Sequence, residues 1–149
     1  MTTMGVSDLF IDTNVLIYAT DPRSPLQHTA LDALQQARDA GTALVISPQI
    51  VREFLAAATR QNVGGGGIPL DDILENIATF RAEFRIVEDS PTALDNLIAL
   101  ARQIPMAGRQ IHDANIVATM LTHSIQRLLT HNTADFARFA HLITILPLV

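Results

Sequence analysis

Four acidic residues occupy places in this chain where a carboxylate is costly. Asp12 follows the apolar run Leu9-Phe10-Ile11, and Thr13-Asn14 beside it offers short polar side chains able to orient a carboxylate. Glu53 lies in SPQIVREFLAAA among Ile50, Val51, Phe54 and Leu55, near a core boundary. Asp113 opens the apolar part of IHDANIVATML, and Asp135 falls in LLTHNTADFARF just after Leu128–Thr130. A buried acid needs a partner or a cation. Two carboxylates about 6 Å apart repel by about 3 kcal/mol at an effective dielectric near 20. Four brought together therefore need a cation or shared protons, and hard divalent ions with oxygen ligands, Mg2+ or Mn2+, are the natural remedy.

Each of the four also has an ordinary structural reading. Asp12 can cap the next helix, and Asp113 can answer a helix dipole. Glu53 can pair with Arg52 or Arg60, and Asp135 can cap a short helix. Other acids need no functional account. Asp71, Asp72 and Glu75 suit the first turn of a helix, Asp32, Asp39, Glu83 and Asp95 read as solvated, and Asp21 opens a turn at Asp-Pro-Arg.

The elements that must position these acids alternate between short strands and longer helices. Strands are expected at 7–12, 43–47, 85–88, 127–130 and 142–146. A helix is expected from Pro25 to Ala40, with Leu26, Ala30, Ala33, Leu34 and Ala37 on one face and Gly41 as its stop. Ser47-Pro48 supplies a cap and first-turn proline for a helix through about Arg60, and Ser90-Pro91 does the same for the helix after it. Ile73, Ile77, Phe80 and Phe84 make another helical stripe, and further helices are expected over 110–123 and 134–140. Gly64 to Gly67 interrupt the pattern as a loop, read as a movable flap; they lack the Gly-Lys-Ser/Thr ending of a phosphate-binding loop. Alternating strands and helices predict an α/β fold, a mainly parallel sheet of about five strands flanked by helices. Ligands gather at the carboxyl ends of such strands, which is where Asp12 stands.

Composition narrows the classes. At 149 residues the chain fits one domain, 1–149. Cysteine is absent, so there are no disulfides, thiolate metal sites or thiol nucleophile. MTTMGVSDLF lacks the basic region and long apolar core of a secretory leader, and no apolar run approaches the roughly 18 residues that span a bilayer. A cytoplasmic location is the expectation. The net charge is −5 and all 10 basic residues are arginine. That balance argues against a broad basic face for DNA, yet leaves room for a nucleic acid held by a few arginines and a metal.

Phe10-Ile-Asp-Thr-Asn-Val-Leu16, Glu53 in Ile-Val-Arg-Glu-Phe, His112-Asp-Ala114 and Leu129-Thr-His-Asn-Thr-Ala-Asp-Phe136 resemble a PIN domain. More narrowly they are similar to VapC-type ribonuclease toxins of bacterial and archaeal toxin–antitoxin pairs. The resemblance runs over essentially the whole length. The Asp-Thr-Asn motif is only moderately specific, whereas the ordered four-acid set on a βα framework is strong. It implies a PIN-like three-layer fold in which Asp12, Glu53, Asp113 and Asp135 form an acidic site for Mg2+ or Mn2+. Thr13 and Asn14 would support Asp12, and Thr130 and Asn132 would sit near the fourth acid. Asn132 stands where members of the family can carry an acid, which leaves the fourth position open between Asn132 and Asp135. The family likeness further implies cleavage of single-stranded or looped RNA such as transfer or ribosomal RNA, restraint by a VapB-type antitoxin, and a homodimer. The apolar helical faces at 50–58 and 73–84 are candidates for burial against a partner.

The chemistry suits the residues. Phosphodiester hydrolysis needs an activated water, neutralised phosphate charge and a stabilised leaving oxygen, all of which carboxylate-held metal ions supply. No histidine base is then required, and His112 reads as a bystander or a local helper. Arg52, Arg109 and Arg138 lie near the acids in sequence and are the candidates for phosphate contacts or for balancing the acids. Tyr18 and Phe136 are candidates for stacking on a base or for packing. Aspartyl phosphatases also place an Asp after a first parallel strand. They follow it two residues later with a second Asp, where this chain has Asn14, and they use a lysine, which this chain lacks. A PIN-fold RNA-processing nuclease outside toxin–antitoxin systems and a non-catalytic PIN interaction domain are the remaining alternatives.

Overall fold

A computed structural model of the chain describes residues 8–62 and 65–149. The first strand, β1, runs over Leu9–Ile11 and is followed by α1, Thr13–Thr20, and α2, Gln27–Asp39. Then come β2, Leu44–Ile46, α3, Pro48–Arg60, α4, Leu70–Glu83, and β3, Arg85–Ile86. The second half holds α5, Pro91–Gln103, α6, Gln110–Thr122, β4, Arg127–Thr130, α7, Thr133–Phe136, a 3-10 turn at Ala137–Phe139, and β5, Thr144–Pro147. The sheet has five strands in the order β3-β2-β1-β4-β5, every adjacent pair parallel.

The strand order dictates the layers. The chain steps outward from β1 through β2 to β3, then crosses back to β4 and steps the other way to β5. Right-handed crossovers place α1–α4 on one face of the sheet and α5–α7 on the other. Helix packing agrees: α1 packs on α2 and α3, and α3 on α4, whereas α5 packs on α6 and α6 on α7. Covered on both faces, β1 and β2 are apolar at every position and β4 at its two middle ones, with Leu9, Phe10, Ile11, Leu44, Val45, Ile46, Leu128 and Leu129 all buried.

Most expected elements stand within a few residues of their expected limits. Two differ in a way that matters. The helix α1 has no counterpart among the expected elements. Val15, Leu16, Ile17 and Tyr18 follow one another without a helical period, so eight residues read as a continuation of apolar chain. Burial of Val15 and Leu16 and a cap from Asp12 decide the conformation instead. The expected first strand extended to Asp12, which is in fact that cap; Ser7, at its other end, lies outside the described residues, as does the rest of 1–7. Ser90 caps α5 as expected, accepting from the Ala93 amide at 3.2 Å. Ser47 occupies the cap position of α3, but its buried hydroxyl makes no hydrogen bond among the described residues.

Much of the apolar surface at 50–58 and 73–84 packs into the chain's own core, while Leu74 stays exposed. Ile50, Phe54 and Ala58 of α3 and Ile73 and Phe80 of α4 are buried, with Phe54 and Phe80 in edge-to-face contact at 4.9 Å. Gly65 to Gly67 of the glycine loop lie across from Arg23, which donates to the Gly66 carbonyl at 2.6 Å and to Gln61 Oε1 at 3.0 Å. A side chain at Gly67 would come within 2.8 Å of the Gln61 carbonyl, so the close approach needs glycine. Gly64 lies outside the described residues. Among the described residues no helix is long and apolar enough to cross a membrane.

Candidate active site

At the carboxyl edge of the sheet the connections after β1 and β4 leave toward opposite faces, and a crevice opens between them. Asp12 directly follows β1 and Thr130 ends β4, on either side of that crevice. Asp12 is buried, at 7% exposure. Its Oδ1 accepts from the Thr13 amide at 2.8 Å, and its Oδ2 accepts from Thr130 Oγ1 at 2.7 Å and Asn14 Nδ2 at 3.1 Å. Burial raises its proton affinity above that of an ordinary carboxyl group and Glu53 adds to the rise, while the bonds from Thr130, Thr13 and Asn14 oppose it. Asn14 spans the crevice by also accepting from the His131 amide at 3.1 Å, and Thr130 Oγ1 accepts from the Asn132 amide at 3.0 Å.

Glu53 reaches the same place from α3. Its Oε2 accepts from Thr13 Oγ1 at 2.8 Å and its Oε1 from Gln49 Nε2 at 2.9 Å. Thr13 thereby ties two acids together, its amide on Asp12 and its hydroxyl on Glu53. Asp113, in the first turn of α6, is half-buried and pushed up to about 6. Desolvation is the largest cause, followed by the charges of Asp135, Asp12 and Glu53, with Arg109 acting the other way. Asp135, on α7, is exposed. The carboxylates of Asp113 and Asp135 make no hydrogen bond or ion pair among the described residues.

All four acids line one cavity of about 440 Å3, together with Thr13, Asn14 and Asn132. The set thus divides into a pinned pair, Asp12 and Glu53, and an unpinned pair, Asp113 and Asp135. As the side chains stand, no three His, Asp or Glu residues among those described meet closely enough to hold one metal ion. The donors nevertheless fit a hard cation: they are all oxygen, they share one cavity, and Asp113 carries the raised proton affinity of a carboxyl group facing uncompensated negative charge.

The arginines sort differently from their sequence neighbourhood. Arg109 lines the cavity. The structure does not bring Arg52 or Arg138 to it: Arg52 Nη2 lies 4.0 Å from Asp89 Oδ2, and Arg138 Nη1 donates to the Pro105 carbonyl at 3.1 Å. Arg60 takes a place on the rim instead. It stands seven residues after Glu53 and so returns to the same helix face, whereas Arg52 is turned by about 100° from it. Tyr18 and His112 also line the cavity, with the Tyr18 ring packed edge-on against His131 at 5.3 Å. Phe136 is buried in the core and presents no face for stacking. Sequence reasoning passed over Gln49 and Asn115, which join in one hydrogen bond behind Glu53. The four-residue spacing of Gln49 and Glu53 was a usable signal for the first; nothing local marked the second.

A family model described as PIN domain matches residues 9–142. The chain belongs to the PIN domain family. This PIN domain is similar in fold to VapBC2 from Rickettsia felis bound to a promoter DNA fragment, with TM-score 0.67, 13% identity, and 93% of this chain and 97% of that one covered. It is also similar to a toxin–antitoxin complex from Klebsiella pneumoniae, with TM-score 0.66, 24% identity, and coverage of 96% and 98%. A third neighbour is VapC20 of Mycobacterium tuberculosis, a sarcin–ricin-loop-cleaving toxin, with TM-score 0.62, 14% identity, and coverage of 81% and 87%. At such identities the likeness establishes the fold. No curated protein sequence matches this PIN domain.

Proposed function

We propose that this PIN domain is a metal-dependent endoribonuclease and the toxin of a type II toxin–antitoxin pair, acting in the cytoplasm and held by a VapB-type antitoxin. The observation that carries the reading is the meeting of Asp12, Glu53, Asp113 and Asp135 on one cavity at the β1–β4 crevice. These four would hold Mg2+ or Mn2+, which when bound supplies neutralising charge, acidifies water and stabilises the departing oxygen of a phosphodiester.

The chain's own residues do the rest. Thr13, Asn14 and Thr130 hold Asp12 against its burial, and Thr13 extends the same hold to Glu53. Arg60 and Arg109 put positive charge on the rim of a chain whose net charge is −5, so an RNA phosphate meets guanidinium groups on approach. Tyr18 offers a ring to an unpaired base. An RNA target and an antitoxin partner are supported by the neighbours, one a sarcin–ricin-loop-cleaving toxin, one a toxin–antitoxin complex and one a VapBC2 assembly bound to promoter DNA. A homodimer is part of the same reading, and sedimentation of the purified chain tests it.

The deciding experiment incubates the protein, freed of antitoxin, with a mixed cellular RNA pool and Mg2+ or Mn2+. An Asp12→Asn variant and an EDTA control run beside it. Discrete cuts lost in both controls are expected. Cutting that survives Asp12→Asn overturns the mechanism, and intact RNA with bound metal transfers the weight to a non-catalytic PIN domain.

A further inference from the structure

Behind Glu53 lies a buried amide whose hydrogen-bonding capacity is spent on the two helices that carry Glu53 and Asp113. Gln49, in the first turn of α3, is 5% exposed. Its Nε2 donates to Glu53 Oε1 at 2.9 Å and to the His112 carbonyl at 2.9 Å, while its Oε1 accepts from Asn115 Nδ2 at 2.7 Å. Both N–H groups are used, and the carbonyl has its acceptor bond. His112 and Asn115 flank Asp113 on α6, so one side chain touches the acid of α3 and the backbone on which the acid of α6 is mounted. The two helices otherwise share little packing, since α3 rests on α1 and α4 and α6 on α5 and α7. Direct packing of one helix on the other therefore contributes little to the separation of Glu53 from Asp113.

We propose that Gln49 is a positioning residue that fixes Glu53 relative to Asp113, and that Asn115 acts through it. The inference rests on the reading that these carboxylates hold a divalent cation. With Thr13 on one oxygen of Glu53 and Gln49 on the other, the carboxylate is held at a fixed rotation. Without Gln49, only the Thr13 bond remains, and α6 loses its polar tie to α3. Outer partners of this kind typically change metal affinity about 10- to 100-fold.

The test is calorimetric titration of Mn2+ into metal-free protein without RNA, using wild type, Asp12→Asn, Gln49→Leu, Asn115→Ala and the double variant of the last two. Thermal unfolding of each, followed by circular dichroism, confirms that it is folded at the titration temperature. Gln49→Leu is expected to weaken Mn2+ binding about tenfold and Asn115→Ala in the same direction by less. The double variant is expected to be no weaker than Gln49→Leu, because both act along one chain of bonds. Should Gln49→Leu not fold, Asn115→Ala carries the test with Gln49 still in place. A role confined to stability would lower the unfolding temperature and leave Mn2+ affinity alone. Tight wild-type binding with both single variants within twofold of it overturns this inference alone. Wild type that binds no Mn2+, or binds it as Asp12→Asn does, removes the cation reading and this inference with it.

Discussion

In metal-free protein, replacing Asp113 with Asn should make stability less dependent on pH, in a direction the site dictates. Asp113 is raised from 3.8 to about 6 by desolvation first and by Asp135, Asp12 and Glu53 after it. A carboxyl group whose folded-state pKa is raised takes up a proton on folding between those two values. Its contribution is fully present below 3.8 and is lost as pH climbs through about 6. The full span corresponds to about 3 kcal/mol. Asp113 is only half-buried, and solvent screening brings the expected effect down to about 1–1.5 kcal/mol. The assay is urea unfolding in EDTA at half-unit steps from pH 4 to pH 7.5, wild type against Asp113→Asn. The variant should gain about 1–1.5 kcal/mol on the wild type across that range, with most of the gain between pH 4.5 and 6.5. Repeating the pH 7 measurement with Mn2+ should stabilise the wild type more than the variant, since the cation then opposes the repulsion that raised the pKa. A difference that stays flat from pH 4 to 7.5 would refute the claim that the four acids share one field.

Further outcomes follow from the same contacts. In an Asp12→Asn background, which separates binding from cleavage, Arg60→Ala and Arg109→Ala should each weaken RNA binding. Each should also reduce the slope of log affinity against log salt by about 1, while Arg52→Ala and Arg138→Ala leave it unchanged; filter binding at several salt concentrations reads both. Thr130→Val removes the 2.7 Å bond to buried Asp12 and should cost about 1–3 kcal/mol in urea unfolding at pH 7. Leu16→Ala, at a fully buried position of α1, should cost about 2–5 kcal/mol in the same assay.

Much of the candidate site was legible because its signals are local. Asp12 stands out as an acid after an apolar strand, and its Thr13-Asn14 neighbours are the groups that bond it. The arginines were harder. Sequence adjacency favoured Arg52 next to Glu53, but adjacent residues on a helix point about 100° apart, and the rim position falls to Arg60 two turns later. Periodicity contained that answer; proximity along the chain obscured it. The helix α1 was missed because a run of four apolar residues has no period to read, and its conformation comes from burial on both sides of the chain. Asn115 meets Gln49 across 66 residues of sequence, a contact that exists only once α3 and α6 are packed at the same crevice.

The sequence by itself determined the alternation of strands and helices, the parallel α/β class, and the presence of four acids suited to a hard cation. Periodicity, capping and residue chemistry are properties of short segments and survive without a fold. Tertiary structure decided the strand order β3-β2-β1-β4-β5, and with it the crevice between β1 and β4 where Asp12 meets Thr130. It also decided that Glu53 and Asp113 share a cavity, that Asp113 is pushed up to about 6, and which two arginines border it. Those are facts of distance and desolvation between segments far apart in the chain. Coulomb energy and burial depend on where the segments come to rest, and no local pattern records that.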